Sequence, residues 1–154
     1  GAEVTGVDDS GKQDFLRALG ADHVIDYTRE DFTRNGQQYD LILDLVAYRS
    51  AYAYARALND NGHYYCVGGS VATLVQVLLL GPWIRRTTGK QVRVLAVQPN
   101  LQDLVYVTEL CTAGKLAVVI DREYPLHEVP EALRYLGEGR VKGKVVITLE
   151  RGDQ

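Results

Sequence analysis

Short runs of apolar, β-branched residues alternate with segments whose apolar residues recur every three or four positions, and this alternation restricts the fold more than any other feature. "EVTGV" precedes "KQDFLRALG", "HVIDY" precedes "REDFTRNG", "DLILDLV" precedes "SAYAYARAL", and "HYYCVGG" precedes "VATLVQVLLL". Repeated strand–helix pairs predict the βαβα order of a parallel sheet, in which each crossover lays a helix on the sheet. The runs "LILDLV" and "VRVLAV" are almost continuously apolar, which predicts strands covered on both faces. On the first helix Phe15, Leu16 and Leu19 share one side, and Gly20 stands where a left-handed residue ends it. Gly81, Pro82 and the polar "RRTTGK" predict a break over 81–90, followed by the strand "QVRVLAV". After about residue 113 the pattern changes to a strand, a proline-rich turn, a helix starting near Glu128 with Pro130 in its first turn, and the closing strand "KVVITL". The expected division is 1–112 and 113–154.

Composition narrows the function. At 154 residues, 46% hydrophobic and 24% charged, the chain has the balance of an ordinary globular domain. A formal charge of −3, with no basic stripe, argues against nucleic acid as a partner. The longest apolar stretch, "VATLVQVLLLGPWI", contains Gln76 and Pro82 and falls short of the roughly 20 residues that span a bilayer. No basic-then-apolar leader opens the chain, so no membrane partner is expected and the cytoplasm is the predicted compartment. Cys66 and Cys111 have no CxxC spacing, which predicts buried thiols rather than a zinc knuckle or a disulfide framework. The chain opens on Gly1 and contains no Met, which fits an internal piece of a longer protein as well as a processed one.

Residues 6–12, "GVDDSGK", close the first apolar run. In a dinucleotide fold, an acid at the end of the second strand accepts hydrogen bonds from the adenosine ribose hydroxyls and repels a 2′-phosphate; Asp8 has that position. Lys12, one helical turn on, suits a phosphate instead, so NADH and NADPH both stay open. The plainer alternative is a solvated loop with a helix cap at Ser10. The fingerprint G-x-G-x-x-G is absent, and "GGS" at Gly68 to Ser70 lacks its spacing. If the chain opens at the second strand, that loop lies upstream. His23, His63 and His127 are scattered over different elements and form no ligand set, so no metal residue is expected. Asp40 and Asp44 share one strand face, where a cap or turn former is commoner than an acid catalyst. Trp83 beside Arg85 and Arg86 is expected as a packing anchor with solvated arginines.

Six stretches in order, "GAEVTGV", "LGADHVIDYTREDF", "YDLILDLVA", "GHYYCVGG", "GPWIRRTTGKQVRVLAVQPN" and "GKLAVVIDREYPLHEVPEALRYLGEGRVKGKVVITL", resemble the C-terminal half of a medium-chain dehydrogenase/reductase. The resemblance is to the quinone oxidoreductase-like, NAD(P)-dependent alcohol dehydrogenase branch of the zinc-binding dehydrogenases. It implies an α/β fold: a Rossmann-like parallel sheet lacking its first strand and glycine loop over 1–112, plus a C-terminal piece of the catalytic domain over 113–154. It also implies hydride transfer between NAD(P)H and a small-molecule substrate: a quinone, carbonyl, alcohol or activated alkene. Carried over by position, Asp8, Asp9, Ser10 and Lys12 surround the adenosine ribose, with Lys12 in the place of the family's 2′-phosphate-binding lysine, Tyr27 lines the same end, and Val67, Gly68, Gly69 and Ser70 form the turn beside the nicotinamide half. Family members that prefer NADPH have a small neutral residue where Asp8 stands. Substrate pocket, zinc ligands and proton relay would lie upstream, so no catalytic residue is named and the fragment alone is expected to be inactive. "VRVLAVQ" would be the outer strand of a homodimer in the full-length protein, and strands 3–7 and 40–45 would expose edges. The alternatives are an S-adenosylmethionine-dependent methyltransferase-like domain, which should end in an antiparallel strand pair, and a non-catalytic nucleotide-binding module.

Overall fold

The computed structural model describes residues 1–149. The chain runs β1 (Thr5–Asp8), α1 (Gln13–Ala18), β2 (His23–Asp26), β3 (Tyr39–Asp44), α2 (Ala51–Ala57), β4 (Leu58–Cys66), α3 (Val71–Thr88), β5 (Gln91–Val94), α4 (Leu101–Thr112), β6 (Ile120–Pro125), α5 (Val129–Gly137) and β7 (Lys144–Thr148). The strands form three ladders, β1-β2, β3-β4-β5 and β6-β7. The pairings β3–β4, β4–β5 and β6–β7 are parallel, as the strand–helix alternation requires. A doubly wound sheet has the order 3-2-1-4-5-6, and without strand 1 it falls into 3-2 and 4-5-6. The ladders β2-β1 and β3-β4-β5 have that arrangement.

Contacts divide the chain into two compact units, 1–24 with 99–154, and 25–98. The second unit holds the larger core. Ile42, Tyr54, Leu58, Tyr64, Val77 and Ile84 lie at its centre. Full burial of a side chain such as Leu58 or Ile84 stabilises by about 1.5–3 kcal/mol. Helices α2 and α3 cover the sheet face that carries Ile42. The other face of β3 is bare: Leu41 and Leu43 are 55% and 59% exposed. The expectation of a sheet covered on both sides is therefore corrected for this unit, while β3 stands at the edge of its ladder as expected.

Three further expectations are corrected. "REDFTRNG" forms turns rather than a helix. Asp26 accepts from the amide of Thr28, Asp31 from that of Thr33 and Asn35 from that of Gln37, and these local side-chain bonds compete with helical ones. Pro82 does not break α3, which continues to Thr88 and ends at Gly89 in the left-handed conformation. Proline removes one amide donor from a helix already formed on both sides, and the neighbouring Gly81 brings α3 against β5: a Cβ there would lie 2.3 Å from the Val92 carbonyl oxygen. Trp83 is 55% exposed, with its ring edge toward Tyr52 at 6.1 Å, so it does not anchor the core.

In the first unit, α1 is followed by Gly20 at φ 98°, as read from sequence. The segment 120–148 forms a β6-α5-β7 crossover in which Tyr124, Ala132 and Tyr135 are buried. Its helix starts at Val129 with Glu128 as the preceding cap residue and Pro130 in the first turn. Cys66 is buried and Cys111 half-buried, and both are free thiols. No helix among the described residues is long and apolar enough to cross a membrane.

Candidate functional site

In the first unit the loop after β1 is drawn together by its own charges. Lys12 Nζ lies 3.4 Å from Asp8 Oδ1 and 3.9 Å from Asp9 Oδ2. The lysine side chain is 16% exposed and the carboxylates about twice that, so the cation is the more enclosed partner. Asp8 Oδ1 also accepts from the Asp9 amide at 2.8 Å. Asp9 Oδ1 accepts from the Gly11 amide at 2.7 Å, which makes Asp9, not Ser10, the cap of the single 3-10 turn over residues 10–12. The side-chain amide of Gln13 donates to the Asp8 and Asp9 carbonyls at 3.3 and 3.4 Å and closes the loop from behind. Asp8, Asp9 and Lys12 thus form one cluster with an excess of one negative charge.

In the second unit β3 and β4 end side by side at Asp44 and Cys66, and the loops that follow are joined by their backbones. The Val67 amide donates to the Asp44 carbonyl at 2.8 Å, the Ala47 amide to the Gly68 carbonyl at 2.9 Å, and the Ser70 amide to the Ala47 carbonyl at 3.0 Å. Gly69 has φ 139°, and a Cβ on it would stand 2.2 Å from the Ala47 carbonyl oxygen. Gly68 likewise meets the Leu45 carbonyl oxygen at 2.8 Å. Both glycines are therefore required by the neighbouring loop, a requirement independent of any ligand. Ser70 caps α3, its Oγ accepting from the Thr73 amide at 3.1 Å. Val67 is 41% exposed. Carboxyl ends of parallel strands are where open α/β sheets bind ligands.

Tyr27 follows β2 in the second unit and is 44% exposed. Beneath the rim, the half-buried Asp44 and the buried Tyr54 and Tyr64 form a polar cluster; the sequence marks Asp44 as a cap or turn former and shows a surplus of tyrosines, ten in all, but does not join them. Burial, reinforced by the Asp44 carboxylate, pushes both phenols far above their ordinary range. Burial also raises the Cys66 thiol, whose Sγ donates to the Gly68 carbonyl.

The remaining titratable candidates are structural or solvated. His23 meets Glu3 at 2.6 Å, His127 lies near Glu128 at 3.8 Å, and His63 stacks on Tyr65. Asp40 accepts from the Asn59 side chain at 2.8 Å. Among the described residues no group of three His, Cys, Asp or Glu could hold a metal ion, so these residues do not fit zinc. A nicotinamide dinucleotide fits better. Asp8 offers a partly exposed carboxylate to ribose hydroxyls, whereas a 2′-phosphate would meet two carboxylates and a cation they already engage.

Comparison with known proteins gives consistent results. A medium-chain reductase, PydE from Acremonium sp, is 28% identical over 97% of this chain and 45% of its own length. The mitochondrial NAD(P)H oxidoreductase RTN4IP1 of Mus musculus is 32% identical over 97% of this chain and 42% of its own. The solved quinone oxidoreductase of Coxiella burnetii superposes with a TM-score of 0.77 at 28% identity, covering 94% of this chain and 44% of that one. The chain thus spans less than half the length of these relatives. The closing strands also argue against the methyltransferase alternative, because β6 and β7 pair parallel. A zinc-binding dehydrogenase family model matches residues 19–147, and the chain belongs to that family.

Proposed function

We propose that the chain is the cofactor-holding part of an oxidoreductase that reduces a small unsaturated substrate, a quinone, a carbonyl or an activated alkene, with NADH as the preferred donor. The observation that carries the reading is the Asp8–Asp9–Lys12 cluster on a chain of this family. Asp8 would hold the adenosine ribose through its hydroxyls, with Asp9, Ser10 and Lys12 shaping the loop and Tyr27 flanking that end. Val67, Gly68, Gly69 and Ser70 would border the nicotinamide half. The nicotinamide, when bound, supplies the hydride. The chain's own residues bind and orient it; no residue here is assigned to proton transfer, and no step is routed through a metal.

Family and relatives support the reaction class: RTN4IP1 is named an NAD(P)H oxidoreductase, and a further relative is a 2-methylene-furan-3-one reductase of Solanum lycopersicum. The proposal keeps 1–112 as the dinucleotide-binding part and 113–154 as the segment returning to a catalytic domain. It expects 1–154 alone to be inactive. It assigns β5, the outer strand of its ladder, to a homodimer. It keeps the cytoplasm as compartment, to be checked by fractionation, since one relative is named mitochondrial.

The test is to express the chain with all of the sequence its gene encodes and follow reduced-nicotinamide absorbance with quinones, enones and aldehydes. Oxidation of NADH on addition of one of these is the expected result. Absence of binding to either nicotinamide, with binding of S-adenosylmethionine instead, would overturn it. Light scattering on the same sample tests the dimer; a strictly monomeric protein would refute that part.

A further inference from the structure

The polar cluster under the rim of the second unit does work that packing alone does not demand. Tyr54 and Tyr64 are 1% and 0% exposed, with rings stacked 4.1 Å apart. A core that needed only volume would be served by phenylalanine at both positions, because a buried hydroxyl is costly unless its hydrogen bonds are made. Here they are made, and they lead to one loop. Tyr64 Oη donates to Asp44 Oδ2 at 3.1 Å. The Tyr54 hydroxyl accepts from the amides of Tyr48 at 3.2 Å and Arg49 at 3.0 Å. Asp44 Oδ1 accepts from the Val46 amide at 3.1 Å.

Three amides of the loop after β3 are thereby bonded, that of Val46 by Asp44 at the end of β3 and those of Tyr48 and Arg49 by Tyr54 of α2. Between those amides stands Ala47, whose own amide and carbonyl hold Gly68 and Ser70. Gly69 packs closely on Ala47: a Cβ on it would stand 2.2 Å from the Ala47 carbonyl oxygen. The Tyr54 hydroxyl thus meets the backbone one and two residues beyond Ala47, the residue to which Gly68 and Ser70 are bonded.

The geometry points to Tyr54 as a positioning residue: without touching the cofactor, its hydroxyl sets the backbone of the turn that borders the nicotinamide half. This inference rests on the cofactor reading above. Preorganisation of a binding loop acts on affinity, because a loop that must be ordered on binding charges that cost to the ligand.

The test uses Tyr54→Phe in the protein expressed with all of the sequence its gene encodes. Reduced-nicotinamide fluorescence reads the Kd for NADH, and steady-state kinetics with the best electron acceptor separates KM from kcat. The expected result is a Kd and cofactor KM raised about tenfold, as for the loss of one well-made hydrogen bond, with kcat at saturating cofactor within about threefold. Tyr64→Phe leaves the acceptor of the Tyr48 and Arg49 amides in place, and its Kd should stay within about threefold of the unsubstituted protein. An unchanged Kd in Tyr54→Phe, or equal rises in both variants, would show a merely structural cluster and overturn the inference. If Tyr54→Phe does not fold, amide hydrogen exchange on the unsubstituted protein replaces it: the Tyr48 and Arg49 amides should be protected before NADH is added, and amides that exchange freely until NADH binds would refute the idea. Failure of the unsubstituted protein to bind either nicotinamide is a separate result, which overturns the cofactor reading and this inference with it.

Discussion

If Asp8 holds the adenosine ribose of NADH as proposed, replacing it by serine should shift the cofactor preference toward NADPH. In the native loop Lys12 lies 3.4 Å from Asp8 and 3.9 Å from Asp9, so its charge is compensated before any ligand arrives. A pair of unit charges about 4 Å apart interacts with about 1 kcal/mol in water and about 4 kcal/mol near a protein surface. With about a third of each carboxylate side chain exposed, screening favours the lower half of that range, roughly 1–2 kcal/mol. Serine removes that repulsion toward a 2′-phosphate and frees Lys12 from its nearer partner, while its hydroxyl can still bond a ribose. At about 1.4 kcal/mol per factor of ten, the ratio of Kd for NADH to Kd for NADPH should rise about 5- to 30-fold. Paired titrations by reduced-nicotinamide fluorescence at fixed, low ionic strength give the ratio directly, and added salt should reduce the change because the groups are partly exposed. An unsubstituted protein that prefers NADPH, or a ratio that stays within about threefold in Asp8→Ser, would refute the reasoning.

Other substitutions test the frame around the site. Gly69→Ala forces a Cβ to within 2.2 Å of the Ala47 carbonyl oxygen at φ 139°; strain and overpacking together should cost about 3 kcal/mol and lower the thermal midpoint by roughly 6–12 °C, and an unchanged midpoint would contradict the joined loops. Gly81→Ala should push α3 away from the Val92 carbonyl, 2.3 Å from the new Cβ, and slow no cofactor step beyond its effect on thermal stability. In the β6-α5-β7 crossover, the amide of Lys142 and then the Tyr135 hydroxyl bond the Asp121 carboxylate and hold it below its ordinary 3.8. Its folded pKa is depressed, so its stabilising contribution is complete above 3.8 and is lost as pH falls through the lower folded value. Asp121→Asn should therefore flatten the acid limb of the unfolding curve, followed by circular dichroism against pH; an identical acid limb would refute the assignment.

Strand positions were legible because β-branched runs such as "HVID" and "LILD" leave few alternatives. Helices were less so, for three physical reasons. Around residues 26–38 the helical spacing is present, yet the Asx turns of Asp26, Asp31 and Asn35 offer each following backbone a closer partner. At Pro82 the local rule favours a stop, but packing on β5 continues the helix to Gly89. The helix over 101–112 had no prediction at all, because Val105, Val107 and Thr108 blur its period; the pair Asn100 and Asp103, which cap one another at its start, was the available signal. At the candidate site, Asp8 and Lys12 announce themselves by charge and spacing. The Asp44–Tyr54–Tyr64 cluster does not, since its members are separated along the chain and meet only when β3, α2 and β4 assemble.

The uncovered leucines of β3 should govern how the isolated chain behaves at the bench. Leu41 and Leu43 present oil to water on a strand whose outer rank of amides is also free to pair, a combination that makes crowding self-limiting: dye-binding, adhesion to chaperones and turbidity should all climb with concentration. Lysine in place of Leu43 would quiet all three at once, and that is the handle for anyone who wishes to hold the isolated chain in solution.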